Sequence, residues 1–282
     1  MNDAALLRAG TRALSASFRR FTDYLGLFIV SLVLLAAVVG PLSGYIPAQD
    51  VNIPHADLGP GPGHWLGTDH LGRDVLSRLV FACQAFVWPG LLACLTAAAI
   101  GVPAGATAGY MGGPVEAAIR YVTTVIASLP RFVLVLLVCS IYGNDLPTLA
   151  LAAGVAYSPT LSEAVYGRIE GLRTSEYLLA NRAYGVPEWR IVAVHLVFAA
   201  CGRLIGRHLV ILFGYFLVLE TTLSYIGGFG VQEPTPSWGN MLVFEWGRSG
   251  SSVAMLAPVV ALIATVLAVS WLADVLAEVG HE

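Results

Sequence analysis

Long apolar runs alternate with shorter polar stretches along the chain. A helix rises about 1.5 Å per residue, so roughly 20 apolar residues cross the ~30 Å hydrocarbon core of a bilayer. By this rule the sequence predicts six transmembrane helices, at residues 24–46, 79–107, 117–142, 148–165, 195–226 and 252–272. The predicted fold class is therefore an all-α integral membrane protein.

Polar stretches separate these spans at residues 47–78, 166–194 and 227–250. Residues 1–23 place four arginines among apolar side chains, which predicts an amphipathic helix lying on a membrane face. The chain thus divides into an amphipathic N-terminal segment, 1–23, and a transmembrane domain, 24–282.

Arginine positions predict the orientation. Six spans place both termini on one side, and cytoplasmic segments are enriched in basic residues. The side of the N-terminus would carry Arg8, Arg12, Arg19, Arg20, Arg120, Arg168, Arg173, Arg182 and Arg190, against Arg73, Arg78 and Arg248 on the other. Both termini and the 166–194 loop are therefore expected in the cytoplasm, and the loops 47–78 and 227–250 outside.

The amino-acid composition agrees with a membrane protein and excludes a P-loop nucleotide-binding site on this chain. The chain is 57% hydrophobic and 12% charged, against about 25% charged in a typical soluble domain. The net charge of −3 gives no basic bias towards nucleic acid. All 15 basic residues counted as lysine plus arginine are arginine, and a P-loop needs a lysine on the phosphates. No cofactor is expected on this chain, and any ATP would be bound by another subunit.

The 166–194 loop contains helix boundary signals. Thr174 or Ser175 can cap a helix, and Glu176 suits its positive end. Gly185 would end that helix, and Pro187 would start another. Two short helices joined at a glycine fit either a docking element or an ordinary amphipathic loop.

This loop resembles the "EAA" motif of ABC-importer permeases, which forms the coupling helices seated in a cleft of the ATPase subunit. The resemblance implies ATPase-coupling roles for Glu176, Tyr177, Ala180, Arg182, Ala183, Gly185, Pro187 and His195. Two stretches depart from the motif. The Glu-Ala-Ala positions read Leu179-Ala180-Asn181, and Val197-Phe198-Ala199 replaces the usual Leu-Pro-Asn.

Three further stretches narrow the resemblance to one permease subunit of dipeptide, oligopeptide and nickel importers. They are residues 64–78, residues 100–113 and residues 231–239. The resemblance implies a type I ABC importer fold in the bacterial inner membrane. It also implies several partners: a second, different permease subunit, two ATPase subunits that bind ATP and Mg, an extracytoplasmic substrate-binding protein and membrane lipid. Peptides are the expected substrate, with nickel, metal chelates or modified peptides as alternatives.

The outer loop 47–78 holds a group of residues that suits a compact scaffold. Asp69 can accept hydrogen bonds from nearby backbone amides, and its charge and those of Arg73 and Asp74 can brace the loop. The predicted scaffold residues are Gly67, Thr68, Asp69, Gly72, Arg73 and Asp74. Direct contact with substrate is the alternative. Three histidines in this loop are too widely spaced to predict a metal site.

Charges inside the predicted spans are costly unless they meet a partner or an aqueous cavity. Arg131, in the third span, either attracts a substrate carboxylate or is structural, as part of an ion pair or as a side chain that snorkels to the membrane surface. Glu220, in the fifth span, either pairs across the permease interface or lines the pathway. Arg203 and Arg207, one turn apart, face lipid headgroups or the cavity. Arg131, Glu220 and Arg207 are the candidates for the translocation pathway.

Two other classes of function compete with an importer permease. A secondary transporter often has inverted repeats and midplane carboxylates, whereas this sequence has no visible repeat and one clear mid-span carboxylate. A membrane enzyme would need a catalytic motif, and none of the H-E-x-x-H or G-x-S-x-G type occurs. The chain is therefore not expected to be an enzyme itself.

Overall fold

A computed structural model describes residues 3–42, 51–245 and 252–278. These residues are mostly helical, as the apolar pattern predicts. The helices are α1 (Asp3–Leu42), α2 (Val75–Phe81), α3 (Gln84–Met111), α4 (Gly113–Ser128), α5 (Arg131–Tyr142), α6 (Leu146–Leu172), α7 (Glu176–Ala183), α8 (Glu188–Arg190), α9 (Cys201–Ile226), α10 (Trp238–Glu245) and α11 (Ser252–Glu278). A 3₁₀ turn, Ile53–His55, lies in the outer loop, and a π-helical segment, Ile191–Ala200, joins α8 to α9.

Among the described residues, four helical stretches are long and apolar enough to cross a membrane. They are Thr22–Gly40, Val75–Met111, Glu188–Ile226 and Val253–Ala277. The bent pair α4–α5 would make a fifth. The predicted fourth span falls within the 27-residue α6, which is less apolar and is mostly covered by its neighbours. Residues 43–46, the end of the first predicted span, lie outside the described residues.

The prediction of one continuous third helix over residues 117–142 is wrong. The chain bends by 84° between α4 and α5. Pro130 has no amide hydrogen to donate, and its ring disfavours a helical conformation in the preceding residue. Leu129 accordingly adopts extended angles, φ −84° and ψ 135°. The run of apolar residues is continuous in the sequence, but Pro130 divides it into two helices that lie at an angle to each other.

The most extensive helix packing joins α3 to α6. Three glycines of α3, spaced four residues apart, permit this close approach: a Cβ atom on Gly105 would collide with the carbonyl oxygen of Ser162. A Cβ atom on Gly101 would lie 2.6 Å from the carbonyl oxygen of Ser158, and one on Gly109 3.0 Å from that of Tyr166. The two backbones therefore touch along three successive turns.

The other long helices surround this pair. Helix α9 packs against α3, α6 and α11, and α1 lies against α11. The largest cluster of buried apolar side chains includes Phe86, Leu149, Phe216 and Trp238. A second cluster, which includes Ile169 and Leu178, lies where α6 ends and α7 begins. The core thus continues from the α3–α6 pair to the predicted coupling loop.

We expect Gly105→Ala to destabilise the protein. Alanine favours a helix more than glycine by about 1 kcal/mol, but here the methyl group has no space, and overpacking costs about 1–3 kcal/mol. Gly167→Ala in α6 is the matched control, because nothing lies within 4 Å of the added carbon. Thermal unfolding in detergent should give a lower Tm for Gly105→Ala only. Equal Tm values for the two variants would contradict the backbone contact.

Candidate functional site

Asp69 organises the outer loop by accepting hydrogen bonds from its own neighbours. Its Oδ1 accepts from the backbone N–H groups of Leu71 and Arg73, each at 2.9 Å. Its Oδ2 accepts from Nε of Arg73 at 2.7 Å. Asp69 therefore accepts from backbone amides, as expected, and its charge pairs with that of Arg73.

A second outer segment completes this network, because Glu233 reaches across from the loop after α9. Its Oε2 lies 2.8 Å from Nη1 of Arg73, and its Oε1 lies 2.7 Å from Nη2 of Arg78. Arg78 Nε also lies 3.5 Å from Oδ2 of Asp69. Both arginine side chains are 2% exposed. Two cations and two carboxylates thus form a buried, charge-balanced group that we call the outer ion network: Asp69, Arg73, Arg78 and Glu233.

Sequence reasoning missed Glu233, and the reason is its distance along the chain from its partners. A signal was present, however. A buried arginine requires a carboxylate partner, and Glu233 is the single acidic residue of the 227–237 segment. The pairing of the loops 47–78 and 227–250 follows from that requirement.

The remaining scaffold candidates hold the outer loop in shape. The Thr68 hydroxyl donates to the His55 carbonyl and accepts from the Leu58 amide at 2.9 Å. Asp74 caps α2 by accepting from the Ser77 amide at 2.8 Å. Asp74 also lies 3.0 Å from Nδ1 of His64.

Two glycines of the same loop allow the chain to pass close to itself. Gly72 has φ +74°, and a Cβ atom there would collide with the carbonyl oxygen of Asn52. A Cβ atom on Gly67 would likewise collide with the carbonyl oxygen of Leu58. Within the described residues, no group of three His, Cys, Asp or Glu side chains is placed to hold a metal ion.

The predicted coupling loop folds as two short helices joined at a glycine, although the Ser175 side chain makes no capping hydrogen bond at the start of the first. Helix α7 begins after Ser175 and is followed by Gly185 with φ +74°. The Gly185 amide donates to the carbonyl of Arg182 at 3.0 Å, which helps to close the helix end. Helix α8 begins directly after Pro187. We call residues 176–190 the knuckle.

Buried contacts fix the knuckle to the spans. Leu178 is 1% exposed and belongs to the same apolar cluster as Ile191 and Leu196. The Tyr177 hydroxyl lies 2.7 Å from Nδ1 of His195. These contacts hold α7 against the start of the segment that continues into α9.

Arg182 provides a further link, to the end of α3. Its Nη2 donates to the Tyr110 hydroxyl at 2.9 Å, and its guanidinium lies over the Tyr110 ring. Arg182 Nε is also 3.5 Å from a carboxylate oxygen of Glu188. A displacement of the knuckle would therefore reach α3 and α9 directly.

The outer face of the knuckle is exposed and partly apolar. Tyr184 is 88% exposed and Trp189 69% exposed. Seven of the eight predicted coupling residues are exposed, and His195 is half-buried. The exposed seven are Glu176, Tyr177, Ala180, Arg182, Ala183, Gly185 and Pro187. Large exposed apolar side chains in one place are typical of an interaction surface.

Arg131 lies at the bend between α4 and α5. Its Nη2 donates to the Thr160 hydroxyl at 2.6 Å, and its guanidinium carbon lies 4.8 Å from the Tyr157 ring centroid. The Tyr157 ring stacks on Tyr215, with centroids 5.7 Å apart and planes at 10°. Arg131 is exposed and has no carboxylate partner among the described residues. Thr160, Tyr157 and Tyr215 were not anticipated from the sequence.

Glu220 is fully buried in α9. The Ser224 hydroxyl donates to its Oε1 at 2.6 Å, and the Val231 amide donates to the same hydroxyl oxygen at 2.9 Å. The structure therefore connects Glu220 to the outer loop that follows α9. It has no open surface in this conformation, and its role in a pathway stays a prediction.

Arg207 lies at the opposite end of α9 and is half-buried. Its side chain lines a cavity together with Arg168 and Arg203. The structure thus places the three pathway candidates at separate levels: Glu220 near the outer loops, Arg131 at the bend, and Arg207 near the knuckle.

Comparison with known proteins gives consistent matches over most of the chain. The family described as "Binding-protein-dependent transport system inner membrane component" matches residues 101–278. A dipeptide transport system permease protein of Bacillus subtilis is 31% identical over 216 residues, covering 77% of this chain and 67% of the relative. A glutathione transport system permease protein of Pectobacterium atrosepticum is 28% identical over 252 residues, covering 88% and 82%. An oligopeptide transport system permease protein of Bacillus subtilis is 28% identical over 216 residues, covering 77% and 70%.

We expect Glu233→Gln to destabilise the outer loops strongly. Removing one partner of a buried ion pair costs about 3–5 kcal/mol, because the remaining charge stays buried without compensation. Glu163→Gln is the control, since Glu163 and its partner Arg120 are 59% and 46% exposed and such pairs contribute about 0–1 kcal/mol. Thermal unfolding in detergent should separate the two variants. Similar losses would show that the outer ion network contributes no more than a surface pair.

Proposed function

Because the chain belongs to the family of binding-protein-dependent transport system inner membrane components, we propose that it is the transmembrane permease subunit of an ATP-driven ABC importer. It forms half of the translocation pathway, and a second, different permease subunit forms the other half. The observation that carries the proposal is the knuckle, an exposed pair of short helices tied to α3 and α9 by Tyr177, Leu178 and Arg182.

The proposed topology has six spans with both termini in the cytoplasm. The four apolar helical stretches, the bent pair α4–α5 and helix α6 supply the six. Helix α6 ends, and α9 begins, on the side of the knuckle. The arginines of that side, including Arg168, Arg173 and Arg190, favour the cytoplasm. The bacterial inner membrane is the proposed location.

Two ATPase subunits, which bind ATP and Mg, are the proposed partners of the knuckle and of its counterpart on the second permease. Closure of the ATPases on ATP would displace the knuckle. The contacts of Arg182 with Tyr110 and of Tyr177 with His195 would transmit that displacement to α3 and α9. The outer loops, held together by the outer ion network, would face the substrate-binding protein.

Peptides are the proposed substrate. The relatives named above are dipeptide, oligopeptide and glutathione permeases, all of which carry molecules with free carboxylates. Nickel or a metal chelate is the alternative within the same class of importer. Arg131, with its free guanidinium edge beside Thr160 and Tyr157, is the proposed contact for a peptide carboxylate.

ATP dependence tests the proposal against an ion-driven carrier. In proteoliposomes that contain the complete complex, a catalytically inactive ATPase should abolish dipeptide uptake. Gly185→Ala should reduce ATP-dependent uptake, because a side chain at positive φ costs about 1–2 kcal/mol and disfavours the turn between α7 and α8. Gly202→Ala, near the same end and without positive φ, is the matched control. Uptake that persists with the inactive ATPase would favour a secondary carrier.

Arg131→Gln should weaken transport of substrates with a free carboxylate. A hydrogen bond to a charged group contributes about 1.5–3 kcal/mol, so we expect the KM of a dipeptide to rise at least about tenfold. The KM of the same dipeptide with an amidated C-terminus should change little. Arg120→Gln, on α4 and paired with exposed Glu163, is the control. Equal effects of Arg131→Gln on both substrates would exclude recognition of the carboxylate.

A further inference from the structure

A small cavity lies within the outer ion network. All four members of the network line it, together with His70 and three apolar side chains. The cavity leaves about 10 Å³ for the centre of a water molecule, and about 10–15 Å³ is the smallest such space that holds one water. The cavity therefore has room for a ligand of about the size of one water molecule.

Arg78 brings a hydrogen-bond donor to this cavity that lacks an acceptor. Its Nη2 donates to Oε1 of Glu233 at 2.7 Å, and its Nε lies 3.5 Å from Oδ2 of Asp69. Its Nη1 is buried and has no hydrogen-bond partner among the described residues. Because the Arg78 side chain is only 2% exposed, bulk solvent does not supply the acceptor. The buried guanidinium therefore points to a bound ligand that accepts hydrogen bonds.

The charges around the cavity favour a neutral ligand. Arg73 and Arg78 are balanced by Asp69 and Glu233. A halide ion could accept from Nη1 of Arg78, but the two carboxylates that line the cavity would repel it. A metal ion would be repelled by the two arginines and could not accept a hydrogen bond. A water molecule can accept from a guanidinium and donate to a carboxylate, so it suits both kinds of group.

We propose that this cavity binds one structural water molecule, which accepts a hydrogen bond from Nη1 of Arg78 and donates to the carboxylates of the outer ion network. Buried waters typically make about three hydrogen bonds to polar groups that are otherwise unsatisfied, and five polar side chains line this cavity. Arg78 belongs to α2, whereas Glu233 lies in the loop after α9. The water is thus part of the connection between the two outer loops. The proposal concerns the folded chain and does not depend on the proposed transport function.

A crystal structure of the full chain, at a resolution that shows ordered waters, tests the site directly. We expect one density peak about 2.7–3.2 Å from Nη1 of Arg78. Crystals grown with bromide in place of chloride should show no anomalous signal at this peak. A map without a peak at this position, or a peak with the anomalous signal of bromide, would overturn the proposal.

Two substitutions of equal shape at Ala254 test the need for an acceptor by thermal unfolding in detergent. Ala254 lines the cavity and is 1% exposed. Ala254→Val fills the site with methyl groups and displaces the water, whereas Ala254→Thr brings a hydroxyl that can accept from Arg78. We expect Ala254→Val to have the lower Tm, by at least about 2 °C, because it leaves a buried charged donor without an acceptor.

Ala268, on the same helix, is the matched control, because it is fully buried and does not line the cavity. There the valine variant should be at least as stable as the threonine variant, since a buried hydroxyl is more costly than a methyl group. A Tm for Ala254→Val that equals or exceeds that of Ala254→Thr would contradict the water site.

Discussion

The backbone contact between α3 and α6 is the constraint on which the rest of the structure depends. In a lipid bilayer the hydrophobic effect contributes little to the association of helices. Close van der Waals packing of small residues favours their association instead. Gly101 and Gly105 place the α3 backbone against carbonyl groups of α6. Helix α3 follows α2, which carries Arg78 of the outer ion network, and α6 leads directly into α7. One rigid helix pair therefore connects the outer loops to the knuckle.

The charged side chains differ between the outer end and the knuckle end of the α3–α6 pair. In the outer ion network two arginines meet two carboxylates, so the buried group is neutral and every charge has a partner of opposite sign. Such a group adds little net stability but selects one arrangement of the loops. At the knuckle end, Arg182 and Glu188 form an exposed pair, with Nε of Arg182 3.5 Å from a carboxylate oxygen of Glu188. The charges at the outer end are thus balanced and largely buried, whereas the charged pair at the knuckle end stays exposed.

Local features were predictable from the sequence, and distant ones were not. Gly185 permits the positive φ that follows α7, and Pro187 restricts its own φ, so the two short helices of the knuckle followed from residue type. Pro130 is likewise a local signal for the bend between α4 and α5. The continuous run of apolar residues around it nevertheless favoured the prediction of a single helix. Glu233 lies 155 residues from Arg78, and no periodicity links them. Only the requirement that buried charges be paired could have predicted the contact between the loops 47–78 and 227–250.

The bend changes the interpretation of Arg131. In a continuous span this arginine would sit mid-helix, but in the structure it is the first residue of α5. The start of a helix carries partial positive charge, so a cation there is disfavoured. The Tyr157 ring and the Thr160 hydroxyl offset part of that cost, and a carboxylate would offset more. The position of Arg131 at the start of a helix is therefore better explained by binding of an anion than by stability alone.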